Sequence, residues 1–245
     1  MNSKRTLLFA LALTLPLAGA MGQVPAPAGI VGWWRGDGNA LDLIGANNGM
    51  FMTKPSYLPG RVFQAFDFDG SGAHVLLPPV GKKLAQGTVE LWFSVRAWDW
   101  TNAPNGLALW AQSGCTPNSG CSWDWMSLGT HQGYTTSGEL MFGIYASDWQ
   151  WAKSGIVPQP GVWYHVAGTW GRAGLRIYVN GLLRGQNAYT GPAPKDGVCD
   201  VIGRSSWAGS AIDGLVDEVS IYNRALSASA RFGVLSGIAR RQGDL

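Results

Sequence analysis

The sequence predicts an all-β fold in which two antiparallel sheets pack face to face. Thirty-five glycines and 13 prolines interrupt the chain throughout. Between them, short runs rich in Val, Ile, Trp, Tyr and Phe alternate with turn-forming clusters, which is typical of antiparallel β-structure. The predicted strands are residues 30–35, 61–68, 88–97, 140–146, 163–170, 175–179, 182–186 and 215–222.

Individual segments support this prediction. Asn180 and Gly181 separate two apolar runs, and Asn-Gly favours a two-residue type I′ turn because both of its central positions need positive φ. Bulky side chains alternate onto both faces of 163–170, so we expect this strand in the middle of the sandwich. Only the end of the chain looks helical, with Ser227 as the predicted cap of a turn over 228–235. No linker or fixed repeat divides 29–231, which we interpret as one domain followed by a tail, 232–245.

The first 20 residues have the pattern of a secretory signal peptide. Lys4 and Arg5 precede a Leu- and Ala-rich run that ends in Ala-Gly-Ala, with Ala20 as the predicted cleavage position. The run is shorter than the roughly 20 apolar residues that span a bilayer, and Pro16 interrupts it, although a membrane anchor is the alternative. We therefore expect a secreted or cell-envelope (extracytoplasmic) protein with a short Pro/Ala-rich leader over 21–28.

Charge argues against a nucleic-acid partner. The formal net charge is +3, and charged residues make up 13% of the chain. The domain body contains no cluster of Lys and Arg, so the electrostatic footprint expected for nucleic acid is missing. No second long apolar segment follows the first, so we expect no membrane insertion after signal cleavage.

The three cysteines have different predicted roles. Cys115 and Cys121 flank the turn-forming segment Thr-Pro-Asn-Ser-Gly, which can bring them together as a local disulfide in an oxidising compartment. Cys199 lies in an apolar stretch and is expected to be a buried small apolar residue. Pairing of Cys199 with another chain is the alternative.

Six blocks of sequence carry a family resemblance. The first reads Gly-Trp-Trp-Arg-Gly-Asp-Gly-Asn-Ala-Leu-Asp and the last contains Asp217-Glu-Val-Ser-Ile-Tyr-Asn-Arg-Ala-Leu-Ser. Together the blocks resemble the laminin-G-like jelly-roll domains of the concanavalin A-like lectin/glucanase superfamily. The resemblance implies a concanavalin A-like jelly-roll sandwich and, in at least some relatives, a structural calcium. It thins between Trp98 and Trp151, which we interpret as an enlarged set of loops. The blocks are residues 32–42, 64–70, 88–93, 163–169, 176–181 and 214–227.

A calcium site is predicted where the two ends of the domain meet. Asp37, Asn39 and Asp42 follow the first predicted strand, and Asp217 lies in the last. In a jelly roll of this kind these strands are expected to be antiparallel neighbours, so Asp37 and Asp217 could converge. Side-chain and turn oxygens suit Ca²⁺, which takes about 6–8 oxygen ligands. The alternative is that Asp37 and Asn39 stabilise a turn through their own backbone while Asp217 caps a strand.

Ten of the 13 tryptophans fall into two groups. One group occupies positions where the family has core aromatics: Trp33, Trp34, Trp92 and Trp163. The other forms three Trp-x-Trp units in the middle of the chain: Trp98 and Trp100, Trp123 and Trp125, Trp149 and Trp151. Residues two apart on a strand share a face, so each unit could present two indoles to a sugar ring, with Asp99, Asp124 and Asp148 accepting hydrogen bonds from hydroxyls. The alternative is a satellite hydrophobic cluster.

No catalytic residues are predicted. The chain lacks the Glu-x-Asp-x-x-Glu strand of sandwich-fold glycosidases, and Glu90 and Glu139 stand alone. Asp217 and Glu218 are adjacent and are expected to point to opposite faces. Tyr164-His165 is the nearest approach to the Arg, His and Tyr group of the related lyases.

Three functions therefore stand as hypotheses. The leading one is a secreted, non-catalytic binding module that is lectin-like, takes a glycan and contains a structural calcium. The second is a structural or adhesive domain of the cell surface that binds an extracellular protein. The third is a sandwich-fold glycosidase or lyase. Fold alone does not choose among them.

Overall fold

The structure is a computed structural model. It describes residues 26–54, 56–80, 82, 84–97, 106–116, 120–131, 133–135, 137–194, 199–206 and 210–227, without the side chains of 115, 116 and 120–123. The predicted signal peptide, the Trp98 and Trp100 unit with Asp99, the helical turn over 228–235 and the tail lie outside the described residues. Within the described residues there is no helix, and so none that is long and apolar enough to cross a membrane.

Fifteen strands are described: β1 (Ile30–Trp34), β2 (Met50–Phe51), β3 (Tyr57–Pro59), β4 (Gln64–Asp69), β5 (Val75–Leu77), β6 (Gly87–Val95), β7 (Leu107–Thr116), β8 (Gly120–Thr130), β9 (Met141–Tyr145), β10 (Trp149–Lys153), β11 (Tyr164–Trp170), β12 (Leu175–Val179), β13 (Leu182–Asn187), β14 (Cys199–Ile202) and β15 (Asp213–Tyr222). The first sheet has the order β13-β12-β11-β6-β15-β4-β3, and β1 also pairs with β15. The second sheet has the order β10-β9-β8-β7-β14-β5-β2. The predicted all-β sandwich of two antiparallel sheets is confirmed.

The two sheets meet at a tightly packed core. On β6, the side chains of Val89, Leu91 and Phe93 point inward and are fully buried. Phe142 of the second sheet lies directly on Gly168 of β11, where an added Cβ would stand 2.3 Å from the ring. Because burial of one large apolar side chain contributes about 1.5–3 kcal/mol, this interface accounts for much of the stability of the domain.

The predicted Asn-Gly turn is present between β12 and β13. Asn180 and Gly181 have φ angles of 51° and 78°, and Val179 pairs with Leu182 across the turn. Positive φ at both central positions is what a type I′ turn requires, and its twist matches that of the flanking strands. This turn places the Asn180 side chain at one end of the first sheet.

The first and last strands are antiparallel neighbours, as expected. Ile30 pairs with Tyr222 and Trp34 with Val219. A bulge interrupts β15 between Asp217 and Ser220, and Glu218 within it has φ 54°. Since Val216 and Val219 both point into the core, the bulge leaves Asp217 and Glu218 outside it. The expectation that these two carboxylates point to opposite faces is therefore wrong.

The interpretation of 98–151 as enlarged loops is also wrong for much of this segment. Four strands, β7 to β10, begin within it and form one side of the second sheet; of these, only β9 was predicted, as residues 140–146. On β7 and β8 the outward positions include Ala111, Ser113 and Ser127, so these two strands lack the β-branched alternation that marks a strand in sequence. Other unpredicted strands, such as β2, β3 and β5, are three residues long or shorter.

Backbone register places Cys115 opposite Cys121 in the β7–β8 hairpin. Opposed residues of an antiparallel pair have Cα atoms about 4.5–5.5 Å apart, within the range that a disulfide spans. Cys199 is buried against Val201 and Leu76 on the outer side of β14, in agreement with its predicted role as a small apolar residue. The disulfide itself stays a prediction.

We expect secreted protein to contain the Cys115–Cys121 bridge. Non-reducing peptide mapping should recover the two residues in one cross-linked species, two hydrogen atoms lighter than its reduced form. Because the closed loop is short, reduction or the double substitution Cys115→Ser/Cys121→Ser should lower the free energy of unfolding by about 2 kcal/mol. Alkylation of both thiols in unreduced, denatured protein would contradict the bridge.

Candidate functional site

The outer face of the first sheet carries a row of chemically active side chains. Trp92 of β6 pairs with His165 of β11 on one side and with Asp217 of β15 on the other. The inward positions of β6 are Leu91 and Phe93, so period-two alternation directs Trp92 outward. Trp92 is therefore not a core residue, contrary to the sequence-based expectation. Asn180 continues the same row at the turn after β12.

A cavity of about 310 Å³ opens at this row, lined by Arg61, Trp92, Trp163 and Asn180. Arg61 and Asn180 are exposed, and the two indoles are partly exposed. Trp163 precedes β11 rather than lying in the core, which corrects its predicted role as well. The Arg61 guanidinium carbon stands 4.9 Å from the centre of the Trp92 ring, within the range of a cation–π contact.

Arg61 is held in place by the loop that joins β3 to β4. Gly60 N donates to Phe63 O at 2.9 Å, which closes the loop. Val62 N donates to Asp217 Oδ2 at 2.9 Å, which ties the loop to β15. A Cβ at Gly60 would stand only 2.7 Å from Asp217 Oδ2. The position of Arg61 over Trp92 therefore depends on the buried carboxylate of Asp217.

The opposite side of the cavity is held by β11. Asn180 N donates to His165 O at 2.8 Å, and Asn180 Oδ1 accepts from His165 N at 2.9 Å. The acceptor end of the Asn180 amide is therefore engaged with the sheet. The His165 ring meets Trp92 edge to face, with centroids 5.3 Å apart. Trp92 is thus enclosed by Arg61 and His165, and Trp163 is the indole left to contact a ligand.

The same face of the sheet carries a buried pair of ionisable side chains. His165 Nε2 stands 3.5 Å from Glu90 Oε2, and both side chains are almost fully buried. Burial, with Glu90 nearby, raises the pKa of Tyr222. Glu90 therefore does not stand alone as the sequence suggested, although it is not among the described residues that line the cavity.

The predicted calcium ligands are not brought together as one set. Burial opposes ionisation of Asp42, but hydrogen bonds from Ile44, Trp33 and Asn47 outweigh it and lower its pKa. With Gly45 N, the Asp42 carboxylate accepts from five donor atoms, more than its roughly four lone-pair sites.

Asn39 has a local turn role instead. It donates to Asp37 O and accepts from Leu41 N, which is the turn alternative raised from the sequence. In the part of the chain that the structure describes, no three His, Cys, Asp or Glu side chains form a metal-binding group.

Asp217 and Asp37 differ from the other two predicted ligands. Burial, assisted by the nearby charges of Glu218 and Asp37, raises the pKa of Asp217 to about 8 despite its hydrogen bond from Val62 N. Asp217 Oδ1 is buried and has no hydrogen-bond partner among the described residues. Asp37 accepts from Gln64 N at 3.1 Å and pairs with Arg35 at 3.1 Å, which leaves it free lone pairs. These two carboxylates lie close enough to interact electrostatically.

Trp149 and Trp151 share the outer face of the second sheet, as the two-residue spacing predicted. Their rings stack with centroids 4.5 Å apart and an interplanar angle of 13°. Trp151 lies across Gly143, where a Cβ would clash with the ring at 2.2 Å. Only 8% and 9% of these residues is exposed, and they pack with Met141 in a separate cluster. The geometry is that of the satellite cluster rather than of an open sugar platform.

The other predicted ligand-binding residues of this segment have structural contacts or are not described. Trp125 is partly exposed and meets Tyr145 edge to face at 5.9 Å. Asp124 is buried and accepts from Ser113 Oγ at 2.5 Å and Ser206 N at 3.0 Å. Asp148 caps Trp149 N at 2.7 Å. Trp98, Trp100 and the side chain of Trp123 lie outside the described residues.

The residues weighed for catalysis are separated by the fold. Tyr164 points inward and stacks on Phe93 at 5.6 Å, whereas His165 points outward. Glu139 Oε1 accepts from Thr135 Oγ1 at 3.2 Å, and Glu139 Oε2 accepts from Gly155 N at 2.5 Å. Glu139 therefore stabilises a loop. The cavity residues Arg61 and Asn180 were missed because each looked like an ordinary loop or turn residue in sequence.

Comparison with known proteins fits this architecture. Domain 4 of AbnA, a GH43 extracellular arabinanase from Geobacillus stearothermophilus solved with arabinotriose, has TM-score 0.67 and 19% identity, covering 84% of this chain and 97% of that one. The binding domain of Paraclostridial Mosquitocidal Protein 1 has TM-score 0.63 and 14% identity, covering 82% of this chain and 50% of that one. Trypanosoma rangeli sialidase has TM-score 0.59 and 18% identity, covering 90% of this chain and 34% of that one. At these identities the likeness shows the fold alone.

Family assignment rests on the sequence model. A search of curated proteins returned no match. The model of the concanavalin A-like lectin/glucanases superfamily, Laminin_G_3, matches residues 69–230, more than half of the chain. The chain belongs to the concanavalin A-like lectin/glucanases superfamily.

Proposed function

We propose that the protein is a secreted, non-catalytic carbohydrate-binding module whose glycan site is the cavity of Arg61, Trp92, Trp163 and Asn180. The observation that carries this proposal is the placement of two exposed hydrogen-bond donors beside a partly exposed indole. A sugar ring has an apolar face that packs on an aromatic ring and hydroxyls that accept from amide and guanidinium groups. The cavity of about 310 Å³ is at the small end of ligand pockets, which suits one ring of a glycan.

The comparison with a glycan-bound relative supports this role. Domain 4 of AbnA has the same fold over 84% of this chain and was solved with arabinotriose. Glycan binding is therefore compatible with this architecture. The residues that would bind a sugar here are argued from this chain alone.

A protein partner is the second candidate, because exposed apolar residues lie close to the cavity residues in sequence. Three apolar residues near the cavity residues in sequence are about half exposed: Phe63 (two residues after Arg61), Val162 (before Trp163) and Leu182 (two residues after Asn180). Leu183 on β13 is about half exposed as well. Exposed apolar groups beside a polar pocket are typical of interaction surfaces. A glycosidase or lyase is less well supported, since no carboxylate is among the described residues that line the cavity.

We also propose that calcium, when bound, is held at Asp217 with Asp37. The support is the buried Asp217 Oδ1, which has no hydrogen-bond partner in the described part of the chain, and the electrostatic interaction between the two carboxylates. A divalent cation would neutralise both charges and satisfy the unpaired oxygen. Asp42 and Asn39 would act instead on the turn after β1. The role of the cation would be structural, at the base of the loop that carries Arg61.

Removal of one indole tests the glycan site. We expect Trp163→Ala to weaken binding of a glycan identified on an array by about tenfold, because the stacking surface is lost. Trp125→Ala is the matched control, since Trp125 is a partly exposed indole on the second sheet. Isothermal titration calorimetry gives both affinities, and thermal unfolding checks that both variants fold. Loss of binding in Trp125→Ala alone would place the site on the second sheet and contradict the proposal.

The pH dependence of stability tests the buried carboxylate. In calcium-free buffer the folded state holds a proton on Asp217 up to about pH 8, whereas an unperturbed Asp has a pKa of 3.8. The folded state thus binds more protons between these values, so this group lowers stability as pH rises from about 4 to 8. His131, whose pKa burial lowers to about 4, gives the opposite slope up to about pH 6.5. The difference between wild type and Asp217→Asn, from chemical denaturation, isolates the Asp217 contribution.

Calcium should restore the stability that the wild type loses through Asp217 as the pH rises. At pH 8 we expect saturating calcium to raise the unfolding temperature of the wild type by several degrees, since about 2.7 kcal/mol is gained at a hundredfold excess over Kd. Asp217→Asn should show no such rise in unfolding temperature. Asp42→Asn should show the same rise as the wild type, although its stability without calcium is lower. An equal effect of calcium on wild type and Asp217→Asn would contradict the proposed ligand.

A further inference from the structure

The side chains that line the cavity offer hydrogen-bond donors almost exclusively. Arg61 has five N–H groups and no acceptor, and an indole has one N–H and no acceptor. Among the described residues that line the cavity, the single side-chain acceptor is Asn180 Oδ1, and it already accepts from His165 N at 2.9 Å. The amide nitrogen of Asn180 is what remains for a ligand. A neutral sugar hydroxyl both donates and accepts hydrogen bonds. A lining of donors therefore binds the hydroxyl only as an acceptor and leaves its O–H donor without a partner in this lining.

The charge and the orientation of Arg61 strengthen the preference of the cavity for a hydrogen-bond acceptor. Its guanidinium lies over Trp92, 4.9 Å from the ring centre, and the residue is exposed. A guanidinium that is supported on a ring keeps its N–H groups at its edge, where they bind a carboxylate with two parallel hydrogen bonds. The short loop from Gly60 to Phe63 and the hydrogen bond from Val62 N to Asp217 restrict its movement, which lowers the entropic cost of binding.

We infer that the cavity recognises a sugar ring that carries a carboxylate, with Arg61 binding the carboxylate, Trp163 packing on the ring and the Asn180 amide donating to a ring substituent. This inference rests on the proposed glycan-binding function and adds the class of glycan. The carboxylate accepts hydrogen bonds and does not donate them, which complements a lining of donors. Its negative charge is complementary to the guanidinium.

The test compares oligogalacturonate with its methyl ester, which has the same ring but no charge. We expect the wild type to bind the acid at least about tenfold more tightly than the ester, because a hydrogen bond to a charged group is stronger than one to a neutral group. Arg61→Gln should abolish that difference, because it should weaken binding of the acid at least about tenfold and binding of the ester much less. Arg61→Lys keeps the charge but not the paired donors, so its preference should be intermediate. Arg184→Gln, an exposed arginine on β13, is the matched control and should behave as wild type.

Each other outcome has a distinct meaning. Equal affinity for acid and ester in the wild type, or equal weakening of both by Arg61→Gln, would overturn the inference while leaving a glycan site in place. Stronger binding of dextran sulfate than of oligogalacturonate, lost in Arg61→Gln, would overturn the assignment to a carboxylate in favour of a sulfate. Binding of polyglutamate but of no glycan would overturn both the inference and the proposed function. Matched thermal unfolding of all variants excludes loss of folding as the cause.

Discussion

The hydrogen bond between Val62 N and Asp217 Oδ2 connects the strands of the sandwich to the loop that carries the candidate site. Asp217 lies at the bulge in β15, the strand between β6 and β4 that also pairs with β1. From there its carboxylate holds the loop from Gly60 to Phe63, and this loop carries Arg61 to the face of Trp92. If the carboxylate were lost, the loop would lose its buried acceptor, and Arg61 would no longer be fixed over the cavity.

Much of the architecture was readable from the sequence because it depends on local patterns. The Asn180-Gly181 turn and the central strand that ends at Trp170 follow from turn chemistry and alternation. The pairing of the first and last strands was expected from the family resemblance. Apart from β9, the strands of the second sheet did not follow. Some of their positions are small because an aromatic ring from a neighbouring strand lies on them, as Trp151 lies on Gly143. The need for a small residue at such a position is set by tertiary packing, which the sequence of a single strand does not show.

The candidate site was less predictable than the fold for the same reason. Arg61 and Asn180 are unremarkable loop and turn residues until the sheet brings them together. Trp92 was read as a core residue from its place in a family block, although its alternation with Leu91 and Phe93 already directed it outward. The prediction for Asp217 and Glu218 was wrong because a bulge interrupts the alternation of side-chain direction on which it depended. By contrast, the Trp149 and Trp151 spacing correctly predicted a shared face, but burial decides against a platform there.

The two outer faces of the sandwich therefore have different roles in this account. The second sheet uses its indoles for packing, and the first sheet presents fewer aromatic groups beside exposed donors. The most direct test is a crystal structure of the mature chain with the tightest oligosaccharide found on a glycan array. The account predicts a sugar ring against Trp163, with its oxygens within hydrogen-bond distance of Arg61 and Asn180. A sugar ring bound instead on the Trp125, Trp149 and Trp151 face, with the first-sheet cavity empty of sugar, would contradict it.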